Sequence, residues 1–287
     1  IVIDKHASGE DRFAAEQLVR SLKEEYGLNA TISTQATKGA IALTRKGAEK
    51  RVGVQGYHLI VTPDGVIIKA KGGAGLFYGT QTLLQLMKKD ASGIVIPALS
   101  ITDWPDIQER AVHYDTKHHQ DKKEYVRGFI RDMARYKINM LVWEWEDKLA
   151  YTSHPEIGAP GAFSIEEMQE FTRYARQYHI ELVPLVQGLG HVSFILKWPQ
   201  HAHLREIPSS NWEFCPLKDE SYALLFDLWE EAIKATPGSR YIHIGSDETY
   251  ELAMCDACKA KSEEIGKSGV YTLFINKAAE HLKKAGR

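Results

Sequence analysis

Two adjacent carboxylates, Asp247 and Glu248, follow the apolar run Tyr241-Ile242-His243-Ile244 through Gly245 and Ser246. Neighbours on extended backbone point to opposite sides, so such a pair offers two roles, one acid orienting a substrate dipole and the other trading a proton. The same pair could instead complement a helix N-terminus, whose dipole favours acids. Position separates the two readings. Tyr241, Ile242 and Ile244 read as a buried parallel strand, and in α/β folds the residues just past a strand's C-terminal end build the active site.

Three further strands are expected beside it: Arg110 to Asp115, Met140 to Trp145 and Glu181 to Val186. Between them lie helical stripes. Val126, Phe129, Ile130, Met133 and Ala134 make one, a Ser164–Glu167 capping box opens the next, and Leu225, Leu228, Trp229, Ala232 and Ile233 mark a third. A fourth helix is expected near Tyr271 to Lys284. Strands alternating with helices in this way predict a parallel sheet. Before Asp103-Trp104-Pro105 the grammar differs: a hairpin, Tyr57 to Thr62 and Val66 to Ala70 around Pro63-Asp64-Gly65, is flanked by helices over Ala15–Leu22 and Leu76–Met87. The expected organisation is therefore a small α+β domain over residues 1–105 and a βα-repeat domain over 106–287. Gly72, Gly73 and Gly75 lack the Lys-Ser/Thr of a phosphate loop.

If the four strands are parallel neighbours, their ends share one rim. Arg110 and Asp115 belong to the first strand, Glu144, Glu146 and Asp147 to the second, Gln187, Gly190 and His191 follow the third, and Asp247 and Glu248 the fourth. An arginine, several carboxylates and a histidine together suit a neutral, hydroxyl-rich substrate and proton transfer. Singly, each has a dull explanation as a cap, a loop histidine or a solvated end. Trp143, Trp145, Trp198 and Trp212 lie near the same ends, and one of them is expected to stack on a ligand ring.

These residues resemble the family 20 glycoside hydrolases, the β-N-acetylhexosaminidases. His243-Ile244-Gly245-Ser246-Asp247-Glu248 is similar to that family's catalytic signature, Gly190-His191 to its third-strand motif, and Asp103-Trp104-Pro105 with Arg110 to its entry into the barrel. Gly53-Val54-Gln55-Gly56-Tyr57 and Ala74-Gly75-Leu76-Phe77-Tyr78-Gly79-Thr80-Gln81-Thr82-Leu83 resemble its non-catalytic N-terminal domain. The resemblance implies a (β/α)8 TIM-type barrel, of which this chain holds about the first four βα units, so a fragment or part of an assembly is expected. It implies substrate-assisted, retaining removal of terminal β-linked GlcNAc or GalNAc, with the 2-acetamido group as nucleophile. Asp247 would orient that group, Glu248 would act as acid and base, and Asp147 and His191 would relay to Glu248. Arg110, Glu144 and Trp145 would contact substrate. The Glu-rich second strand, Trp143-Glu144-Trp145-Glu146-Asp147, is similar to a divergent branch of the family.

Composition bounds the partners. The 287 residues carry a net charge of -2 with no block of like charge, which leaves no electrostatic footprint for nucleic acid or anionic membrane. No apolar run is long enough to span a bilayer. The expected partners are N-acetylhexosamine-containing glycans, and the open edges of half a barrel invite self-association. No cofactor is expected, and no metal: Cys255 and Cys258 form a CxxC, but a zinc ribbon needs a second pair and Cys215 stands alone. Two rivals remain open, a catalytically incomplete half-barrel and a sugar hydrolase whose nucleophile is an enzyme carboxylate such as Glu144.

Overall fold

The computed structural model describes residues 1–91 and 93–287. It divides into two compact units, one comprising Ile1–Arg110, Phe129–Asn139 and Gln177–His179, the other Ala111–Gly128, Met140–Arg176 and Ile180–Arg287.

In the first unit, strands β1 (Val2–Ile3), β2 (Ile41–Thr44), β3 (Tyr57–Thr62), β4 (Gly65–Ala70) and β7 (Leu99–Asp103) form one mixed sheet in the order β1-β2-β4-β3-β7. A short hairpin, β5 (Lys88–Asp90) with β6 (Gly93–Val95), stands apart from it. The predicted hairpin is β3–β4, with Thr62 paired to Gly65 across Pro63 and Asp64. Alternation along β4 decides which face is covered: Val66, Ile68 and Ala70 are buried while Ile67 is 39% exposed. Helices α1 (Gly9–Tyr26) and α2 (Gly73–Leu86) pack on each other, and α2 lies on β3 and β4. A capping box at Ser8 and Asp11 starts α1, and Gly27 in the left-handed region ends it.

In the second unit, β8 (Ala111–Asp115), β9 (Met140–Glu144) and β10 (Glu181–Leu185) form a parallel sheet in the order β10-β9-β8. Their registers place Asp115 opposite Glu144 and Glu144 opposite Leu185, so the strands end level. Helices α3 (Lys123–Arg135) and α4 (Ile165–Gln177) make the crossovers. The Ser164–Glu167 box at the start of α4 closes reciprocally at 2.9 and 3.2 Å. Beyond β10 come α5 (Ser193–Leu196), α6 (Asp219–Ala235), α7 (Asp256–Ile265) and α8 (Lys267–Lys284). Leu141, Trp143, Phe171 and Trp229 are at most 1% exposed and form part of the core. This is a small α+β domain followed by part of a TIM-type barrel.

The fourth strand differs from the expectation. Residues 241–248 make one parallel bridge, Leu185 to His243, held by His243 N to Pro184 O at 2.8 Å and Val186 N to His243 O at 3.1 Å. Tyr241 is 43% exposed, and Ile242 and Ile244 are only half-buried. Among the described residues this segment pairs with β10 on one side, whereas β9 is paired on both, so its apolar side chains are less covered than those of β9. Among the described residues no helix is long and apolar enough to cross a membrane.

The alternation in β4 makes a paired prediction. Ile68→Ala should cost roughly 2–5 kcal/mol and Ile67→Ala about 0.5 kcal/mol or less in chemical denaturation, because only Ile68 leaves a core cavity; equal costs would mean the register is wrong.

Candidate active site

The strand ends of the second unit surround a cavity of about 630 Å³ lined by His113, Lys117, Glu144, Gln187, His191, His243, Asp247 and Glu248, among others. At its floor is Glu144, the last residue of β9, with 1% of its surface exposed. A buried carboxylate must be met by donors. His113 Nε2 lies 2.8 Å from Oε2, while Lys117 Nζ and Gln187 Nε2 donate to Oε1 at 3.1 and 2.7 Å. Burial lowers the Lys117 ammonium's affinity for its proton, but hydrogen bonds to Asp115 and Glu144 and their charges outweigh it, so its pKa is raised.

Gln187 carries the arrangement to the turn at Gly245–Glu248. Its Oε1 accepts from Ser246 N at 2.9 Å while its Nε2 holds Glu144. Gly245 is required between them: its φ is +56°, and a Cβ there would stand 1.8 Å from Gln187 Oε1. Ser246 and Glu248 then also take positive φ, +73° and +51°. Left-handed backbone at non-glycine residues costs of order 1–3 kcal/mol each and persists only where surroundings dictate it. Here Tyr271 of α8 donates to Ser246 O at 3.1 Å, Ser246 Oγ to Ile244 O at 2.9 Å, and Trp212 Nε1 to Glu248 O at 2.9 Å.

His191, with φ +57°, faces both acids. Its Nε2 is 3.2 Å from Glu248 Oε2 and 3.4 Å from Asp247 Oδ2, and its ring lies against Trp212 with centroids 4.4 Å apart. A Cβ on the preceding Gly190 would meet Asp247 O at 2.3 Å, so the close approach of these two loops needs glycine there. His243 turns inward at the bridge, and its Nδ1 accepts from Gly245 N at 3.0 Å. Burial lowers its pKa, with His113 adding to the effect, in keeping with an imidazole that must stay neutral to accept.

A family model described as glycosyl hydrolase family 20, catalytic domain, matches residues 108–287, and one for domain 2 of that family matches residues 1–104. The chain belongs to glycosyl hydrolase family 20. Similar family members include hexosaminidase D of Homo sapiens, 33% identical over 63% of this chain and 37% of that protein. A beta-hexosaminidase of Porphyromonas gingivalis is 27% identical over 81% of this chain and 35% of its own length. The solved GH20 beta-N-acetylhexosaminidase of Streptomyces coelicolor A3(2) superposes with a TM-score of 0.82 at 26% identity, covering 99% of this chain and 60% of that one. The chain thus spans about half or less of the length of these curated relatives.

Of the residues expected at this family 20 site, the structure brings Asp247, Glu248, His191 and Glu144 to one cavity. Three others lie elsewhere. Asp147 sits in a 3₁₀ turn past β9, where it pairs with Lys148 and, at 3.4 Å, with Lys197. Trp145 is fully buried, its ring 6.3 Å from that of Trp143 in the core. Arg110 precedes β8 at the end of the strand away from Asp115. Its guanidinium donates to the carbonyls of Lys137, Ile107 and Gln108 and to Gln55 Oε1, and lies over the Tyr78 ring. His113 and Lys117 line the cavity without having stood out in the sequence: His113 is two residues before Asp115 on β8 and so shares its face, whereas Lys117 lies in the turn after the strand, where no periodicity marks it.

Two tests follow from this geometry. Gln187→Leu strands the buried Ser246 N–H and leaves Glu144 Oε1 with Lys117 alone, and should destabilise the chain by roughly 1–3 kcal/mol for the unpaired N–H, read by chemical denaturation. Glu146, next to Glu144 in sequence, has its carboxyl pushed up to about 8 from 4.5, by burial and then by the charge of Glu144. Folded Glu146 therefore stays neutral while the unfolded group ionises, so its contribution is full below pH 4.5 and is lost as pH rises to about 8. Glu146→Gln should flatten the pH dependence of the denaturation midpoint across that window; an unchanged slope would sink the assignment.

Proposed function

We propose that the protein removes terminal β-linked N-acetylhexosamine from glycans by substrate-assisted, retaining hydrolysis. The observation that carries this reading is His191 Nε2 within 3.4 Å of Asp247 and 3.2 Å of Glu248 on a concave rim, in a chain of family 20. In the proposed mechanism the 2-acetamido oxygen attacks the anomeric carbon, the glycosidic bond breaks, and Glu248 gives its proton to the leaving oxygen. Asp247 receives the acetamido N–H and holds the carbonyl in line, which matters because a well-oriented internal nucleophile replaces a bimolecular encounter. Glu248 then takes a proton from water as that water opens the cyclic intermediate. His191 positions both acids. The His113, Lys117 and Glu144 cluster offers donors and acceptors to sugar hydroxyls at the cavity floor.

The rival with Glu144 as nucleophile finds less support. Its oxygens already face Lys117, Gln187 and His113 at 2.7–3.1 Å, so attack on a sugar would require breaking that set. The incomplete-half-barrel rival is separated by experiment. Hydrolysis of a chromogenic β-GlcNAc glycoside should fall by about 10²–10⁴ in Glu248→Gln, the range for loss of a general acid, and comparably in Asp247→Ala. A thiazoline mimic of the cyclic intermediate should inhibit. Cleavage of a simple β-glucoside at an equal rate would refute the acetamido requirement, and activity confined to a longer chain would favour the half-built site.

A further inference from the structure

The expectation of no metal rested on Cys255 and Cys258 lacking a second pair, and the fold supplies what the spacing did not. Cys215, fully buried, arrives from the loop before α6, with its Sγ 3.5 Å from Cys258 Sγ and 3.7 Å from Cys255 Sγ. Glu206, 1% exposed, completes the group, and one ligand atom from each of the four residues lies within 4.8 Å of all the others.

The distances decide the chemistry. A disulfide needs sulfurs about 2.05 Å apart, well short of the separations here. Tetrahedral zinc with Zn–S of about 2.3 Å sets its sulfurs about 2.3 × 1.63 ≈ 3.8 Å apart, close to both values. The carboxylate gives an independent sign. Glu206 Oε1 accepts from Met254 N at 2.8 Å and Cys255 N at 2.9 Å, which fixes its orientation, while Oε2 is buried with no N–H or O–H donor among the described residues and the Cys255 thiol lies against this carboxylate. Leaving a buried carboxylate oxygen without a donor is costly, and a cation relieves it. Calcium and magnesium want oxygen ligands throughout, whereas three thiolates with one carboxylate suit zinc.

We infer that Cys215, Cys255, Cys258 and Glu206 form a structural zinc site, a role independent of the proposed hydrolysis. Four protein ligands close the coordination sphere and leave no open position for chemistry. The ion would tie the Glu206–Cys215 loop to the Cys255–Cys258 turn. Trp212, which backs His191 and donates to Glu248 O, lies in the first of these segments.

The experiment is metal analysis of the full chain purified without chelator, with thiol titration on the same sample. One zinc per chain is expected, with the three thiols slow to react until a strong chelator is added and fast afterwards. Replacement by Co²⁺ should give the intense visible absorption of tetrahedral cobalt thiolate. Glu206→Gln keeps an acceptor for Met254 and Cys255 while removing the anionic ligand, and should weaken zinc binding at least tenfold; Cys258→Ser should abolish it. The inference is overturned if the unmodified chain takes up no stoichiometric zinc even when zinc is added and its thiols react equally fast with or without it, or if mass analysis finds a disulfide among the three cysteines. Neither measurement on the unmodified chain depends on a variant folding or on turnover of a sugar.

Discussion

Burying one negative charge at the ends of the strands organises this site. Glu144 has almost no contact with water, so its two oxygens must be met from within the protein, by Lys117 and His113 from one neighbouring segment and Gln187 from the other. Removing a single donor leaves a charge in low dielectric, where the cost is several times that of an exposed ion pair. The three segments are therefore pinned together at one atom pair. Gln187 can serve only if its amide is oriented one way, which leaves its oxygen to accept Ser246 N and hold a turn that is otherwise unfavourable.

The strain at that turn has a direction. Gly245, Ser246 and Glu248 are all left-handed, so the chain folds back on itself beyond the bridge at His243 and leaves Asp247 and Glu248 facing one imidazole. Extended backbone would have sent the two acids to opposite sides. The site reaches convergence through the turn rather than through the strand, and the hydrogen bonds from Tyr271 and Trp212 are the surroundings that keep it there.

This explains which parts were legible in the sequence. The parallel strands and their crossover helices were, because β-strand apolar runs and 3.6-residue stripes report local backbone directly: β8, β9 and β10 begin or end within a residue of expectation. Asp247, Glu248, Glu144 and His191 were legible as rim residues because strand ends are countable. Arg110 and Trp145 were misplaced because counting along a strand does not reveal which end a side chain serves or which face is core. The short helix α7 went unread, its apolar content being too low to show a stripe: Cys258 is its buried residue. The convergence of Glu206 with the cysteines was beyond reach from spacing alone, since contacts across some 50 residues are fixed by loop paths and not by local pattern.

The bond between Gln187 and Ser246 spans 59 residues of chain, and that between Gln187 and Glu144 spans 43. Closures of that length, the β9–β10 pairing among them, follow the formation of the local helices. During synthesis, which runs from the N-terminus, Glu144 emerges with Lys117 and His113 already made but must wait for Gln187, and Gln187 in turn waits for Ser246. Until then the nascent sheet carries a hydrated carboxylate at its centre. The order in which the segments appear thus completes the Glu144–Gln187–Ser246 connection only after Ser246 has been made.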